Sequence, residues 1–331
     1  MSTYKRPDLL LKQLNTILLQ TYKNFEIIVS DNDPEESAKS VVESINDCRV
    51  LYFSNEANLG MINSFNKSIE RSNGEYIVMI TDDDPAYPDL LRTLVMLTEK
   101  YPNYGVYSGC GDLIIENEFA SKTMGEDVGK KSNLLKDLKN EEIHVISKAD
   151  FAASYLDGFF SSTYLLWSCL MVRKDVLLAM KGIPNYGSEL LGDHAYVIAA
   201  GSVDGLVFIN KALGGQVIHG DNFGYNFFTL KDKYINTPSW FHGYLKSQLN
   251  ARDDWGSLEK KIWSFTGRGW VEYSLFVYKN LKDKKERKEF FRAFRQAFSN
   301  KNIQKWKYKF YLKCYCKPLF NVLLNIKRLW A

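Results

Sequence analysis

The sequence predicts an α/β fold, a doubly wound mixed sheet followed by a helical, basic C-terminal appendage. Three observations predict it. Over the first 110 residues, short apolar β-branched runs alternate with stretches of helical periodicity, the pattern of a mainly parallel sheet covered on both faces. The 331 residues are 45% apolar and 25% charged, which excludes a disordered or collagen-like chain and leaves ample core. Beyond Ser257 the pattern turns purely helical. A domain of residues 1–225 followed by a region of residues 226–331 is the expected division.

The elements follow in order. Pro7 suits the first turn of a helix, and Leu9, Leu10, Leu14, Ile17 and Leu18 recur at helical spacing, so a helix is expected from Pro7 to Gln20. Phe25 to Ser30 reads as a buried strand ending at Asp31-Asn32-Asp33-Pro34. A helix through Val41, Val42 and Ile45 leads to a strand at Val50 to Phe53. Asn58-Leu59-Gly60 then opens a third helix to Arg71. Glu75 to Ile80 is extended and apolar after its first residue, and it stops at Thr81-Asp82-Asp83-Asp84. A helix opening at Pro7 should itself follow a buried strand, and Met1 to Tyr4 is too short to supply one. The expectation is that the chain as given begins late or that the sheet lacks a central strand.

Residues 111–150 are polar and read as an excursion over the sheet. Structure is expected to resume with a strand at Leu165 to Val172, a helix at Asp175 to Met180 closed by Gly182, a helix at His194 to Ala200, and a last strand at Leu206 to Asn210. Gly214-Gly215 and Gly220 to Gly224 mark a mobile loop around His219.

Charge divides the chain unevenly. From Leu281 onward there are 15 Lys/Arg against 3 Asp/Glu, whereas residues 1–280 carry 28 against 36. An acidic body argues against a nucleic-acid enzyme. In the tail, Lys305, Lys309, Lys313 and Lys317 lie four apart beside Trp306, Tyr308, Phe310, Tyr311 and Tyr315, and Pro318 precedes the apolar Leu319 to Ile326. This pattern predicts an interfacial helix at an anionic membrane surface. Phe290, Phe294 and Phe298 form a separate stripe expected to pack on the catalytic body. No apolar run reaches the ~18 residues of a spanning helix, and the opening lacks a signal-peptide core. Five cysteines make no disulfide framework, and Cys314 and Cys316 do not read as a zinc site, so reduced thiols and a cytoplasmic location are expected.

In an open parallel sheet, ligands bind where loops leave the carboxyl ends of the strands. Asp31-Asn32-Asp33 and Asp82-Asp83-Asp84 each follow a buried strand and should share that edge. One such cluster could be a helix cap with solvated neighbours. Two, one of them three successive carboxylates, call for a cation, and Mg²⁺ or Mn²⁺ suits oxygen ligands and phosphate. No dinucleotide fingerprint or phosphate loop competes, since Gly109-Cys110-Gly111 lacks the third glycine.

The order and spacing of these pieces resemble the family 2 glycosyltransferases of the GT-A fold. The matching residues are Thr3-Tyr4-Lys5-Arg6-Pro7, Gln20-Thr21-Tyr22, Glu26 to Asn32, Asn58-Leu59-Gly60, Gly74-Glu75-Tyr76-Ile77, Thr81 to Asp84 with Pro88, and Gly192-Asp193 through to His219. The resemblance implies a nucleotide-sugar donor, with Thr3 and Asp31 at its base and ribose, Asp82 at its ribose or sugar, and Lys67 as a donor contact. It implies Asp83 as ligand of a Mg²⁺ or Mn²⁺ ion, seconded by Asp84, with His219 near the diphosphate. Asp193 matches the second position of the family's acidic pair, Gly192 replacing the first, and is implied as the base that deprotonates an acceptor hydroxyl. One base opposite the leaving group implies inversion. The implied acceptor is a glycan or lipid-linked glycan of bacterial O-antigen or capsule synthesis, with peripheral attachment to the cytoplasmic membrane face. The alternatives are a nucleotidyltransferase and an inactive sugar-nucleotide-binding scaffold.

Overall fold

The computed structural model describes residues 1–158, 165–219, 222, 224 and 226–316. The chain divides into two compact units, Met1–Asn185 with Leu191–His219, and Tyr186–Leu190 with Gly220–Ala331.

The first unit opens with β1 (Ser2–Thr3), α1 (Pro7–Leu18), β2 (Ile27–Asp31), α2 (Lys39–Ile45), β3 (Val50–Ser54), α3 (Met61–Arg71), β4 (Tyr76–Val78) and α4 (Leu90–Lys100). β1, β2 and β3 form a parallel three-stranded sheet in that order. β1 is only two residues long, with Ser2 beside Ser30 and Thr3 beside Asp31. Pro7 stands in the first turn of α1, which buries Leu10, Gln13, Leu14 and Ile17. Leu10 and Leu14 join Val29, Leu90, Leu94 and Tyr107 in one core. Each fully buried Leu contributes about 1.5–3 kcal/mol relative to exposure.

The unit continues through β5 (Val106–Ile115), α5 (Glu118–Met124), β6 (Gly129–Lys131), β7 (Ile143–Ile146), α6 (Lys148–Asp157), β8 (Leu170–Arg173), α7 (Lys174–Ala179), α8 (Gly192–Asp204) and β9 (Leu206–Ile218). The second sheet runs β4-β8-β5-β9-β7, with β6 also on β5. Among the described residues, only β5 and β9 pair in parallel within it.

Three expectations are corrected here. Residues 111–150 are no simple excursion, because the central strand β5 reaches Ile115 and β7 pairs with β9. Gly214 and Gly215 lie inside β9, which runs to Ile218 rather than stopping at Asn210. Both misreadings come from glycines that serve close packing, not turns. A Cβ on Gly111 would sit 1.9 Å from Leu166, and one on Gly214 would sit 2.8 Å from the Pro85 carbonyl. Finally, the stretch expected as a strand from Leu165 begins with a 3-10 turn at Trp167–Cys169, and the strand itself is Leu170–Arg173.

The second unit contains α9 (Lys231–Leu249), α10 (Trp255–Lys279), α11 (Lys284–Ala297), a 3-10 turn at Gln304–Trp306 and α12 (Lys307–Tyr315). Its core is aromatic. Tyr234 stacks on Trp270 at 5.4 Å, the Trp270 indole N–H donates to the Tyr234 carbonyl, and Phe294 meets Phe310 at 4.5 Å. The Phe290, Phe294 and Phe298 stripe finds partners within this unit, including Tyr278 and Phe310. The basic stripe is also revised. Lys305 lies in the 3-10 turn, and the ammonium groups of Lys309 and Lys313 reach Glu272 of α10 at 3.1 and 2.7 Å. Lys317, Pro318 and Leu319 to Ile326 lie outside the described residues. Among the described residues, no helix is long and apolar enough to cross a membrane.

Candidate active site

β4 delivers its chain to the turn Thr81–Asp84, where three consecutive carboxylates meet residues from distant parts of the first unit. The Thr3 hydroxyl of β1 donates to Asp82 Oδ2 at 3.0 Å. Arg6, which precedes α1, lies 3.4 Å from both Asp82 Oδ1 and Asp83 Oδ2. His219, just past β9, places Nε2 3.7 Å from Asp83 Oδ2. Asp84 Oδ1 accepts from the Val217 amide at 2.9 Å, and its carbonyl accepts from Gln13.

One guanidinium and one imidazole do not neutralise three clustered acids. Burial, and then the charge of Asp83, push the Asp84 carboxyl up to about 7. The same two causes, in the same order, raise Asp82.

The other acidic cluster is built differently. Asp31 is fully buried, and its oxygens accept from the Asp33 amide at 3.0 Å, the Ala38 amide at 2.9 Å and the Tyr52 hydroxyl at 3.0 Å. Asn32 bridges to Asn55, Asn58 and the Leu59 amide. Asp31 therefore braces its loop, and three of its roughly four lone-pair directions are taken. It remains tied to the carboxylate turn through β1, because Thr3 is its ladder partner.

Asp193 sits in the first turn of α8, half-buried, with Oδ1 accepting from the His194 amide at 2.8 Å. A helix N-terminus favours a carboxylate there. Leu191 immediately before the helix holds a left-handed backbone, φ 63°, a costly conformation for a residue with a Cβ. His194 Nδ1 and the Tyr155 hydroxyl are 2.6 Å apart, which ties α8 to α6.

Lys67 is not brought to either cluster. It lies on the exposed face of α3 and pairs with Glu70 at 2.7 Å, because the buried face of that helix is Ile62, Phe65 and Ile69. The cation at the carboxylates is Arg6, which in the sequence stands only as part of the opening turn. Its signal was its place: a basic side chain one residue before a helix that starts on the ligand-binding edge.

Among the described residues, no three His, Cys, Asp or Glu side chains converge to enclose a metal ion. A small hard cation needs no such cage, because Mg²⁺ is typically bound by one or two carboxylates with phosphate and water completing its shell. The carboxylate oxygens of Asp83 and its neighbours, with His219 beside Asp83, are the oxygen-rich donor set that fits such an ion.

A family model described as glycosyl transferase family 2 matches residues 1–155. Over 184 residues the chain is 29% identical to the GalNAc(5)-diNAcBac-PP-undecaprenol beta-1,3-glucosyltransferase of Campylobacter jejuni, covering 52% of this chain and 58% of that protein. Over 200 residues it is 28% identical to a glycosyltransferase of Methanocaldococcus jannaschii, covering 59% and 60%. The chain thus spans less than two thirds of the length of these relatives. In structure it is similar to Staphylococcus aureus TarS 1–349 in complex with UDP-GlcNAc, with TM-score 0.63 and 13% identity over 90% of this chain and 79% of that one. It is also similar to the Pyrobaculum calidifontis mannosyltransferase PcManGT in complex with GDP-Man and Mn²⁺, with TM-score 0.53 and 12% identity over 96% and 86%. These likenesses establish the GT-A-type fold.

Proposed function

We propose that this chain, whose residues 1–155 match the glycosyl transferase family 2 model, transfers a sugar with inversion from a nucleotide-sugar donor to a hydroxyl of a glycan or lipid-linked acceptor. The observation that carries the reading is the Asp82–Asp84 turn, where three successive carboxyl groups meet Thr3, Arg6 and His219. Asp83, with Asp84 and His219 nearby, would hold Mg²⁺ or Mn²⁺, which supplies Lewis-acid stabilisation of the departing diphosphate. Thr3, Asp82 and Arg6 position the donor's ribose or sugar, and Asp31 shapes the wall beside them. Asp193 takes the acceptor proton, and a single base without a carboxylate nucleophile gives inversion.

The UDP-GlcNAc and GDP-Man bound by the structural neighbours support a nucleotide-sugar donor. The undecaprenol-linked glycan in the name of the Campylobacter relative supports a lipid-linked acceptor, and with it O-antigen or capsule synthesis at the cytoplasmic membrane face. The test is a thermal-shift screen of nucleotide sugars with Mn²⁺ or with chelator, followed by product analysis. Stabilisation by a donor that needs Mn²⁺, and an inverted anomeric configuration by NMR, are the expected results. Stabilisation indifferent to chelator removes the metal from the reading, and incorporation of a nucleotide into product replaces it with nucleotidyl transfer.

A further inference from the structure

The segment Tyr186–Leu190, which leads into α8 and Asp193, groups with the helices of the second unit. It is held by one stripe of α9. Tyr186 packs on Phe241 and Tyr244, with ring centroids 6.4 and 5.7 Å apart. The hydroxyls of Ser188 and Thr237, both buried, lie 2.6 Å apart, and the Glu189 carboxylate pairs with the Lys233 ammonium. Lys233, Thr237, Phe241 and Tyr244 stand at i, i+4, i+8 and i+11 of the helix, so a single face makes all of these contacts. The segment also closes on itself. The Tyr186 hydroxyl donates to the Leu190 carbonyl at 2.7 Å, and the Leu190 amide donates to Ser188 Oγ at 3.1 Å.

The next residue carries the strain. Leu191 holds φ 63° and ψ 11°, the left-handed region that a branched side chain rarely adopts. Such a backbone persists only where the structure on both flanks fixes it. On the carboxyl side the flank is the first turn of α8, where the Ala195 amide donates to the Leu191 carbonyl at 2.9 Å and the His194 amide to Asp193 Oδ1 at 2.8 Å. On the amino side it is the loop gripped by α9. Asp193 follows Leu190 by three residues, at most about 11 Å of chain.

We propose that this stripe of α9 positions Asp193, because Thr237 and Lys233 hold the loop that keeps Leu191 left-handed, and Leu191 sets where α8 begins. Without the grip, Leu191 relaxes to an ordinary backbone and carries the first turn of α8 with it. Thr237 and Lys233 act through the chain and are positioning residues. The proposal rests on the reading of Asp193 as the base. The donor contacts of the Asp82–Asp84 turn come from β1, Arg6 and His219, so loss of the grip should disturb the base and spare the donor.

The test compares Thr237→Val, which is nearly isosteric but lacks the hydroxyl, with Thr237→Ser, which keeps it, in the full chain. The first readout is hydrogen exchange at the Ala195 amide without any ligand, and it needs no active enzyme. Thr237→Val should speed that exchange about tenfold or more relative to amides elsewhere in α8, and Thr237→Ser should restore it. The second readout is kinetic. Thr237→Val should lower kcat by about 10- to 100-fold with donor KM unchanged, and should add no further loss in a chain already carrying Asp193→Asn. Should Thr237→Val fail to fold, Lys233→Met, half-exposed on the same stripe, should show the same pattern. Unchanged exchange at Ala195 would make the α9 contacts packing alone and overturn the proposal. Faster exchange with kcat unchanged, or a full additional loss in the Asp193→Asn background, would overturn the positioning role. Absence of transfer by the unsubstituted chain with every donor would instead strike the base reading, while exchange at Ala195 still decides whether α9 holds the start of α8.

Discussion

The two acidic turns, Asp31-Asn32-Asp33 and Asp82-Asp83-Asp84, look alike in the sequence and are opposites in the structure. In the first, the Asp31 carboxylate accepts from two backbone amides and a tyrosine hydroxyl, each local or one strand away. In the second, the donors are few and mostly distant in sequence, and burial, then the neighbouring Asp83 charge, raises the carboxyls of Asp82 and Asp84. A carboxylate surrounded by fixed N–H groups is finished architecture. One surrounded by other carboxylates stores repulsion that a cation or ligand can relieve.

The largest expected effect follows from that contrast. Asp83→Ala removes the carboxylate shared by Arg6 and His219 and should cut glycosyl transfer by about 10³-fold or more, together with the Mn²⁺-dependent part of donor binding. Its thermal midpoint should stay level or rise, because repulsion on Asp82 and Asp84 is relieved. A large fall in stability would erase the difference between the turns.

Asp193→Asn tests the base separately from the carboxylate turn. The amide keeps the side-chain oxygen that accepts from the His194 amide but cannot take a proton, so kcat should fall by about 10²- to 10⁴-fold with donor affinity unchanged. An equal loss of donor binding would make Asp193 a binding residue.

Asp31→Ala probes the first turn from the other direction. It leaves the Asp33 and Ala38 amides and the Tyr52 hydroxyl without their buried acceptor, which should cost about 2–4 kcal/mol in denaturant unfolding. Asp31 and Asp83 variants should therefore separate cleanly, one losing stability and the other activity.

The sequence made the first half of this architecture legible because its strands are continuous apolar runs and its helices carry clean periodicity, as in Ile27–Asp31 and Met61–Arg71. It hid β5 and the end of β9, where Gly109, Gly111 and Gly214 stand in for side chains that would collide with Leu213, Leu166 and Pro85. At the site, residue types announced the carboxylates. What separates Asp31 from Asp83 is partner geometry, and Ala38 and Tyr52 lie seven and twenty-one residues along from Asp31 with no local pattern to mark them. Arg6 stayed hidden for the same reason: its partners are 76 and 77 residues away.

A smaller effect comes from pH. The Asp84 carboxyl is raised in the folded protein from 3.8 to about 7, so the native state holds a proton that the unfolded chain releases at lower pH. Stability in metal-free buffer should therefore fall as pH rises from about 4 to about 7. Asp84→Asn retains an oxygen for the Val217 amide and cannot ionise, so it should flatten that slope and be more stable at pH 7.5 by about 1–3 kcal/mol. An unchanged slope in the variant would assign the titration to another group.

The smallest effect lies in the second unit, where charge is already paired. Burial alone would raise the Glu272 carboxyl, but its bonds to Lys313 and Lys309 outweigh that and hold it below the usual range. Those two lysines are thus engaged with α10, while Lys305 and Lys307 are not held by Glu272 and Tyr308, Tyr311 and Tyr315 expose one aromatic face of α12. If the tail meets an anionic membrane surface, Lys305→Gln with Lys307→Gln should weaken vesicle flotation more than Lys309→Gln with Lys313→Gln. At about 1 kcal/mol for each lysine near the surface, the first pair should lose up to about thirtyfold in partitioning and the second should lose far less. Binding should also require anionic lipid, weaken with salt, and vanish on truncation after Gln304. Equal losses from the two pairs would show that the Glu272 bridge opens at the surface, and flotation of the truncated chain would reject the tail as the contact.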